Sequence, residues 1–150
     1  MEFVHEITAM LENKPGRMAK ICSALAREKI NIRALSVMDA AERSVLRLVT
    51  DRLDETKRVL NELGTEFKTA EVIAVEIDNR PGALARVLER LAEEHINIEY
   101  AYSSGGTAPG HSLGIFHTSN AKRAYQILSE GSSNNGFHQS SPGRRPLHAR

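Results

Sequence analysis

Asn13-Lys14-Pro15-Gly16 and Asn79-Arg80-Pro81-Gly82 are the stretches whose residue types and spacing best suit chemistry with a small molecule. Each asparagine amide carries a donor and an acceptor, so it can address either end of a zwitterion. Gly16 and Gly82 let a ligand come close to the backbone, and free N–H groups at the start of a following helix attract a carboxylate. Asn31 and Asn97 recur eighteen residues further on in each case. Structural roles compete: asparagine before Pro-Gly is a good turn residue, and asparagine just after a helix often takes the left-handed terminating conformation. The recurrence of all four at one spacing favours ligand contact.

Catalytic chemistry finds less support. The sequence has no Gly-x-Gly-x-x-Gly between a strand and a helix, and the Gly105–Gly110 stretch lacks the Lys-Ser/Thr of a phosphate loop. Cys22 aligns with Leu88 and reads as a small core residue rather than a nucleophile. His111 and His117 can share one face of a strand, but no third residue has the spacing of a metal ligand. Glu93-Glu94 and the mixed charges from Asp51 to Lys57 read as solvated helix faces. The expectation is no catalytic residue, no metal and no cofactor.

The asparagine motifs belong to an internal repeat. ITAMLENKPGRMAKICSALAREKINI at 7–32 superimposes without gaps on IAVEIDNRPGALARVLERLAEEHINI at 73–98, a shift of 66 residues. Such self-similarity means two copies of one folding unit. Residues 3–11 and 72–77 are rich in Val and Ile and suit strands. The Pro-Gly turns follow, with Pro15 and Pro81 suited to the first helical position. Met18, Ile21, Cys22 and Leu25 then fall at helical spacing, as do Leu84, Val87, Leu88 and Leu91. Each helix should stop near Lys29 or His95, where strand composition returns.

SVLRLVT at 44–50 answers SLGIFHT at 112–118 with the shift increased to 68, as a connection two residues longer in the second copy requires. Second helices follow around Val59, Leu60 and Leu63, and around Ala124, Ile127 and Leu128. Thr65–Thr69 is a plausible short last strand of copy one. The fold class is therefore α+β, two ferredoxin-like βαββαβ units with antiparallel sheets. Copy two lacks a clear last strand, so its sheet edge is covered by a neighbouring copy or stays open.

The units are expected at 1–70 and 71–131. Residues 132–150, rich in Ser, Asn, Gly, Pro, Arg and His, read as a disordered tail. A unit this small is marginal alone, so the two should pack into one body with their sheets adjoining, and the chain should form a homodimer. The 150 residues carry 20 basic and 19 acidic side chains, a net charge of +1, which gives no field to attract nucleic acid or membrane. Aromatics are 5% and Trp is absent, which argues against a base-stacking sheet of the RNA-binding type. One cysteine excludes an internal disulfide framework. No signal or spanning segment stands out, and the expected location is cytoplasmic.

A strand, then Asn-Lys-Pro-Gly-Arg-Met or Asn-Arg-Pro-Gly-Ala-Leu, then a helix closing in Ile-Asn-Ile, resembles the ACT domain. The resemblance covers about residues 3–130 and occurs twice in register. It implies a βαββαβ module that senses small metabolites, chiefly amino acids, and a layout similar to free-standing tandem ACT proteins with no catalytic domain.

In serine-sensing members, such as the regulatory end of phosphoglycerate dehydrogenase, the asparagines matching Asn13 and Asn31, or Asn79 and Asn97, hold the effector. The resemblance thus implies sites at Asn13, Lys14, Pro15, Gly16, Arg17, Met18, Asn31 and Ile32, and at Asn79, Arg80, Pro81, Gly82, Ala83, Leu84, Asn97 and Ile98. Those sensors carry a histidine where this chain has Leu11 and Ile77, which leans the effector toward an apolar side chain. The implied function is an allosteric, amino-acid-binding regulatory protein, with a regulated enzyme as a possible partner. The alternative is a regulatory subunit such as that of acetolactate synthase, whose start is similar but whose second half differs.

Overall fold

A computed structural model describes residues 1–106 and 108–132, so the proposed tail from 133 onward lies outside the described residues. In chain order the elements are β1 (Glu2–Glu12), α1 (Arg17–Arg27), β2 (Ile32–Ala40), β3 (Arg43–Thr50), α2 (Leu53–Glu62), β4 (Phe67–Asp78), α3 (Ala83–Glu93), β5 (Ile98–Gly105), β6 (His111–Thr118) and α4 (Ala121–Ser132). The last helix continues through Gly131 and Ser132, where the sequence suggested that the tail begins.

The two sheets expected to adjoin are one antiparallel sheet in the order β2-β3-β1-β4-β6-β5. Its centre explains the missing strand. Phe67–Asp78 is one continuous strand rather than a short last strand followed by a new first strand, so the expected boundary at 70/71 falls inside β4. β1 is equally long. Phe3 pairs with Ile73, Ile7 with Thr69, and His5 with Glu71. His5 and Glu71 are themselves equivalent in the repeat, so a local two-fold axis passes between them. The first half of β1 thereby fills the place of copy two's last strand, and the first half of β4 does the same for copy one. No open edge remains at that position.

Helix-facing side chains make one core per copy. Ile7, Ala9, Leu11, Ile21, Leu25, Leu46, Leu48, Val59 and Leu60 form the first. Ile73, Val75, Ile77, Leu91, Phe116, Ala124, Ile127 and Leu128 form the second. The opposite face carries a third, made of Ala34, Val49, Val72, Ala74, Leu113 and Ile115 from both copies. That face is covered because the sheet curls until its end strands, β2 and β5, approach each other. Among the described residues no helix is long and apolar enough to cross a membrane.

Candidate ligand-binding site

The Pro-Gly turns have the same geometry in both copies. Gly16 and Gly82 both have φ 84° and stand at the N-cap positions of α1 and α3. Only glycine takes this left-handed conformation without strain. Pro15 and Pro81 therefore lie before the helix, not at its first position as the sequence suggested. Neither cap has a side-chain hydrogen bond. The helix-terminating left-handed residues are Lys29 (φ 57°) and His95 (φ 56°), not Asn31 and Asn97. The capping role that competes for Asn31 and Asn97 is therefore not realised.

Asn31 and Asn97 are held through their backbones. Asn31 N–H donates to the Asp51 carboxylate (2.9 Å) and Asp51 N–H returns a bond to the Asn31 carbonyl (3.1 Å). Asn97 N–H donates to Ser119 Oγ (3.2 Å) and Ser119 N–H to the Asn97 carbonyl (2.9 Å). Both pairs fasten the start of an edge strand, which leads into Ile32 and Ile98. They also stand at the far end of each sheet from the Pro-Gly turns. Glu12, just before Asn13, pairs with Arg43 at the start of β3, whereas Asp51 follows its end. The eight residues of β3 span roughly 25 Å at about 3.3 Å each. The structure thus does not bring Asn13 to Asn31 within a copy, and β6 separates Asn79 from Asn97 in the same way.

The Asn79 turn does open onto a cleft. About 320 Å³ is enclosed by Ile77, Asp78, Asn79, Arg80 and Leu84 with Ala101–Ser103 of β5 and Ser112, Gly114 and Phe116 of β6. Its floor is apolar. Leu84, 49% exposed, stands at the rim. The polar side holds Asp78, whose carboxylate lies 3.1 Å from the Arg80 guanidinium and 3.4 Å from His111 Nδ1. The β5–β6 connection is tied to this turn by Asn79 N–H donating to the Gly110 carbonyl (2.8 Å).

Copy one has a smaller opening, about 250 Å³, displaced toward the α2–β4 connection. Leu11, Arg17, Lys20, Arg43, Gly64 and Glu66 line it, and neither Asn13 nor Asn31 does. Most of its charges are paired: Glu12 meets Lys14 at 3.1 Å and Arg17 at 3.0 Å, and Arg43 meets Glu66 at 3.8 Å. The hydrogen bond from Lys14, then that from Arg17, holds the Glu12 carboxyl below its ordinary range.

One constellation went unseen in the sequence. Glu6 of β1 is completely buried, yet its carboxylate accepts hydrogen bonds from the hydroxyls of Tyr100 and Tyr102 (the latter 2.6 Å). Arg47 Nε lies 3.9 Å from Glu6, and the guanidinium covers the Tyr100 ring at 3.8 Å. His117 also stacks on that ring, centroids 4.8 Å apart. Burial first, and the Glu6 carboxylate second, push the Tyr100 hydroxyl up to about 12 and raise Tyr102 as well. These residues join copy one to copy two. Every polar partner of the carboxylate is supplied by protein, so the arrangement is a structural clasp. His111 and His117 face Asp78 and Glu99 separately, and no group of three metal-binding side chains occurs among the described residues. Cys22 is half-buried.

The chain matches the family model described as ACT domain pair over residues 2–134, and it belongs to that family. Among solved structures, it is similar to protein BT0572 from Bacteroides thetaiotaomicron, with 29% identity, TM-score 0.80, and 87% of this chain and 89% of the other covered. It is also similar to the regulatory subunit of aspartate kinase from Thermus thermophilus in its ligand-free form, with 19% identity, TM-score 0.65, and 86% and 94% covered. The corresponding subunit from Thermus flavus gives 19% identity, TM-score 0.58, and 86% and 93% covered. The last two likenesses concern the fold. No curated protein matches the chain significantly.

Proposed function

We propose that this chain is a regulatory protein that binds a free amino acid and has no catalytic activity of its own. The observation that carries the reading is the cleft at the Asn79–Leu84 turn. It sets an apolar floor beside Asp78, Arg80 and the Asn79 amide, the mixture that a zwitterion with an apolar side chain requires. Membership of the ACT domain pair family supports a sensing role. The kinship of fold with aspartate kinase regulatory subunits makes an amino-acid biosynthetic enzyme the natural regulated partner. The match of both copies to one paired model favours this over an acetolactate-synthase-type subunit, whose second half differs.

The site residues remain as proposed from the sequence, with copy two's turn the better supported. A homodimer is part of the reading, supported by Met10, Val37 and Met38, large apolar side chains left exposed on β1 and β2. A compact monomer in sedimentation would count against it. The functional test is a thermal-shift panel of the twenty amino acids, added singly. A ligand at 100 times its Kd adds about 2.7 kcal/mol, roughly 5–10 °C for a chain of this size. A panel without any shift at millimolar concentration overturns the sensor reading.

A further inference from the structure

The repeat makes it possible to ask why a cleft opens beside one Pro-Gly turn and not in the corresponding place beside the other. Register answers this position by position. Ala9 pairs with Leu46 as Val75 pairs with Gly114, and Leu35 pairs with Leu48 as Ala101 pairs with Phe116. Leu46 and Leu35 of copy one are therefore replaced by Gly114 and Ala101 in copy two. Val37 is likewise replaced by Ser103. Leu46 is fully buried and Leu35 packs against the same core; in copy two the Phe116 ring and Ile77 take up the room beside Gly114, whereas Ala101 leaves the place of Leu35 open. Gly114 is also tightly bounded. A Cβ there would lie 2.7 Å from Phe116 Cε2 and 2.9 Å from Ile77 Cδ1.

The charged rim differs in the same sense. Glu12 is neutralised by both Lys14 and Arg17. Its counterpart Asp78 has Arg80 and His111, but Arg17 is replaced by Ala83. Asp78 is thus better placed to receive a ligand ammonium, while Arg80 can meet a carboxylate. Leu84 matches Met18, which packs on copy one's core, yet Leu84 stands 49% exposed at the cleft rim.

Resting on the sensor reading above, we propose that effector recognition is confined to copy two, that Ala101 sets the size of side chain admitted over a floor of Phe116 seated on Gly114, and that the corresponding place in copy one is filled by Leu35. The ligand class is an α-amino acid with a compact apolar side chain. Adding copy one's leucine at position 101 should fill the cleft. Ala101 is exposed on the edge strand β5, so Ala101→Leu leaves the cores untouched.

The experiment uses the full chain, titrated with each of the twenty amino acids by calorimetry and by amide chemical-shift mapping. The expected result is binding by at least one amino acid, with shifts at 77–84, 101–103 and 112–116. Ala101→Leu should weaken that binding by about tenfold or more, while Leu35→Ala leaves it unchanged. Shifts at 11–18, 35–37 and 44–48, or in the copy-one opening near Gly64, overturn the confinement although the sensor reading survives. Undiminished affinity in a folded Ala101→Leu overturns the size role in the same way. Silence of the unsubstituted chain toward all twenty amino acids overturns both.

Discussion

Leu46 and Gly114 occupy equivalent places on equivalent strands, and so do Glu6 and Val72, but the two contrasts run in opposite directions. On the helix face, a cleft opens beside copy two's Pro-Gly turn and not at the corresponding place in copy one. On the opposite face, copy one contributes Glu6 and Arg47, and the positions equivalent to them are Val72 and Ile115, both buried and apolar. Tyr100, Tyr102 and His117 likewise answer to Ala34, Ser36 and Val49. The local two-fold axis thus relates a polar clasp on one side of the curled sheet to an apolar seam on the other. One backbone occurs twice, and the differences between its copies give one of them a cleft and the interface between them a buried charge.

Leu46→Ala should produce the largest effect. Its side chain is fully buried, and a leucine truncated in a core that cannot collapse costs about 3–5 kcal/mol. Urea unfolding should report that loss, together with a fall in melting temperature on the order of ten degrees. A loss below about 1 kcal/mol would mean that copy one already has slack at this position, and the contrast between the two copies would fail.

The clasp comes next. The double variant Tyr100→Phe, Tyr102→Phe leaves the buried Glu6 carboxylate with only the Thr8 hydroxyl and Arg47 beside it, and losing two hydrogen bonds to a charged group costs about 3–6 kcal/mol. Adding Glu6→Val together with Arg47→Ile, the residue types that copy two uses at the equivalent places, should recover most of the loss, because replacing the whole buried pair by apolar groups leaves no charge behind. Failure of that rescue would mean that the clasp does more than satisfy its own burial. The tyrosines also set a pH dependence. Their folded pKa values lie above the ordinary 10, so the neutral hydroxyls contribute stability that is complete below pH 10. That stability is lost as pH rises through about 12, where Tyr100 ionises. Phenolate absorbance of the folded chain should lag that of the unfolded chain over this window; coincident curves would contradict the hydrogen bonding to Glu6.

These contrasts show which parts of the molecule were legible in sequence. The repeat, the strand and helix order and the paired turns were readable because each copy keeps its apolar period and its Asn-x-Pro-Gly punctuation. The single sheet was not, since β1 and β4 each serve both copies and no local pattern marks a strand with two roles. Glu6 reads as an ordinary surface charge in a strand. Its burial depends on Tyr100 and Tyr102, which come from the other end of the chain and reach it only when the sheet curls. The cleft left a readable trace, Leu46 against Gly114 in the aligned strands, but its meaning required the register. Asn13 and Asn31 lie apart within one copy for a topological reason. A strand, a helix and a second strand place the two residues at opposite ends of the sheet.

The smallest effect on stability and the sharpest test of the site come from the same substitutions. Asn13 and Asn79 occupy identical turns, neither caps its helix, and among the described residues neither side-chain amide forms a hydrogen bond. Asn13→Ala and Asn79→Ala should each leave the unliganded melting temperature nearly unchanged, within about 0.5 kcal/mol of stability. Their effects on ligand response should then diverge. Asn79 borders the cleft of about 320 Å³, so losing its amide should reduce the amino-acid-induced shift, by an amount consistent with one hydrogen bond of about 0.5–1.5 kcal/mol. Asn13 borders neither opening, and its variant should respond as the unsubstituted chain does. If both variants lose the response equally, the two turns act together and the division of labour between copies is wrong. If either variant melts far lower without ligand, that asparagine has a structural role in its turn that its hydrogen bonds do not reveal.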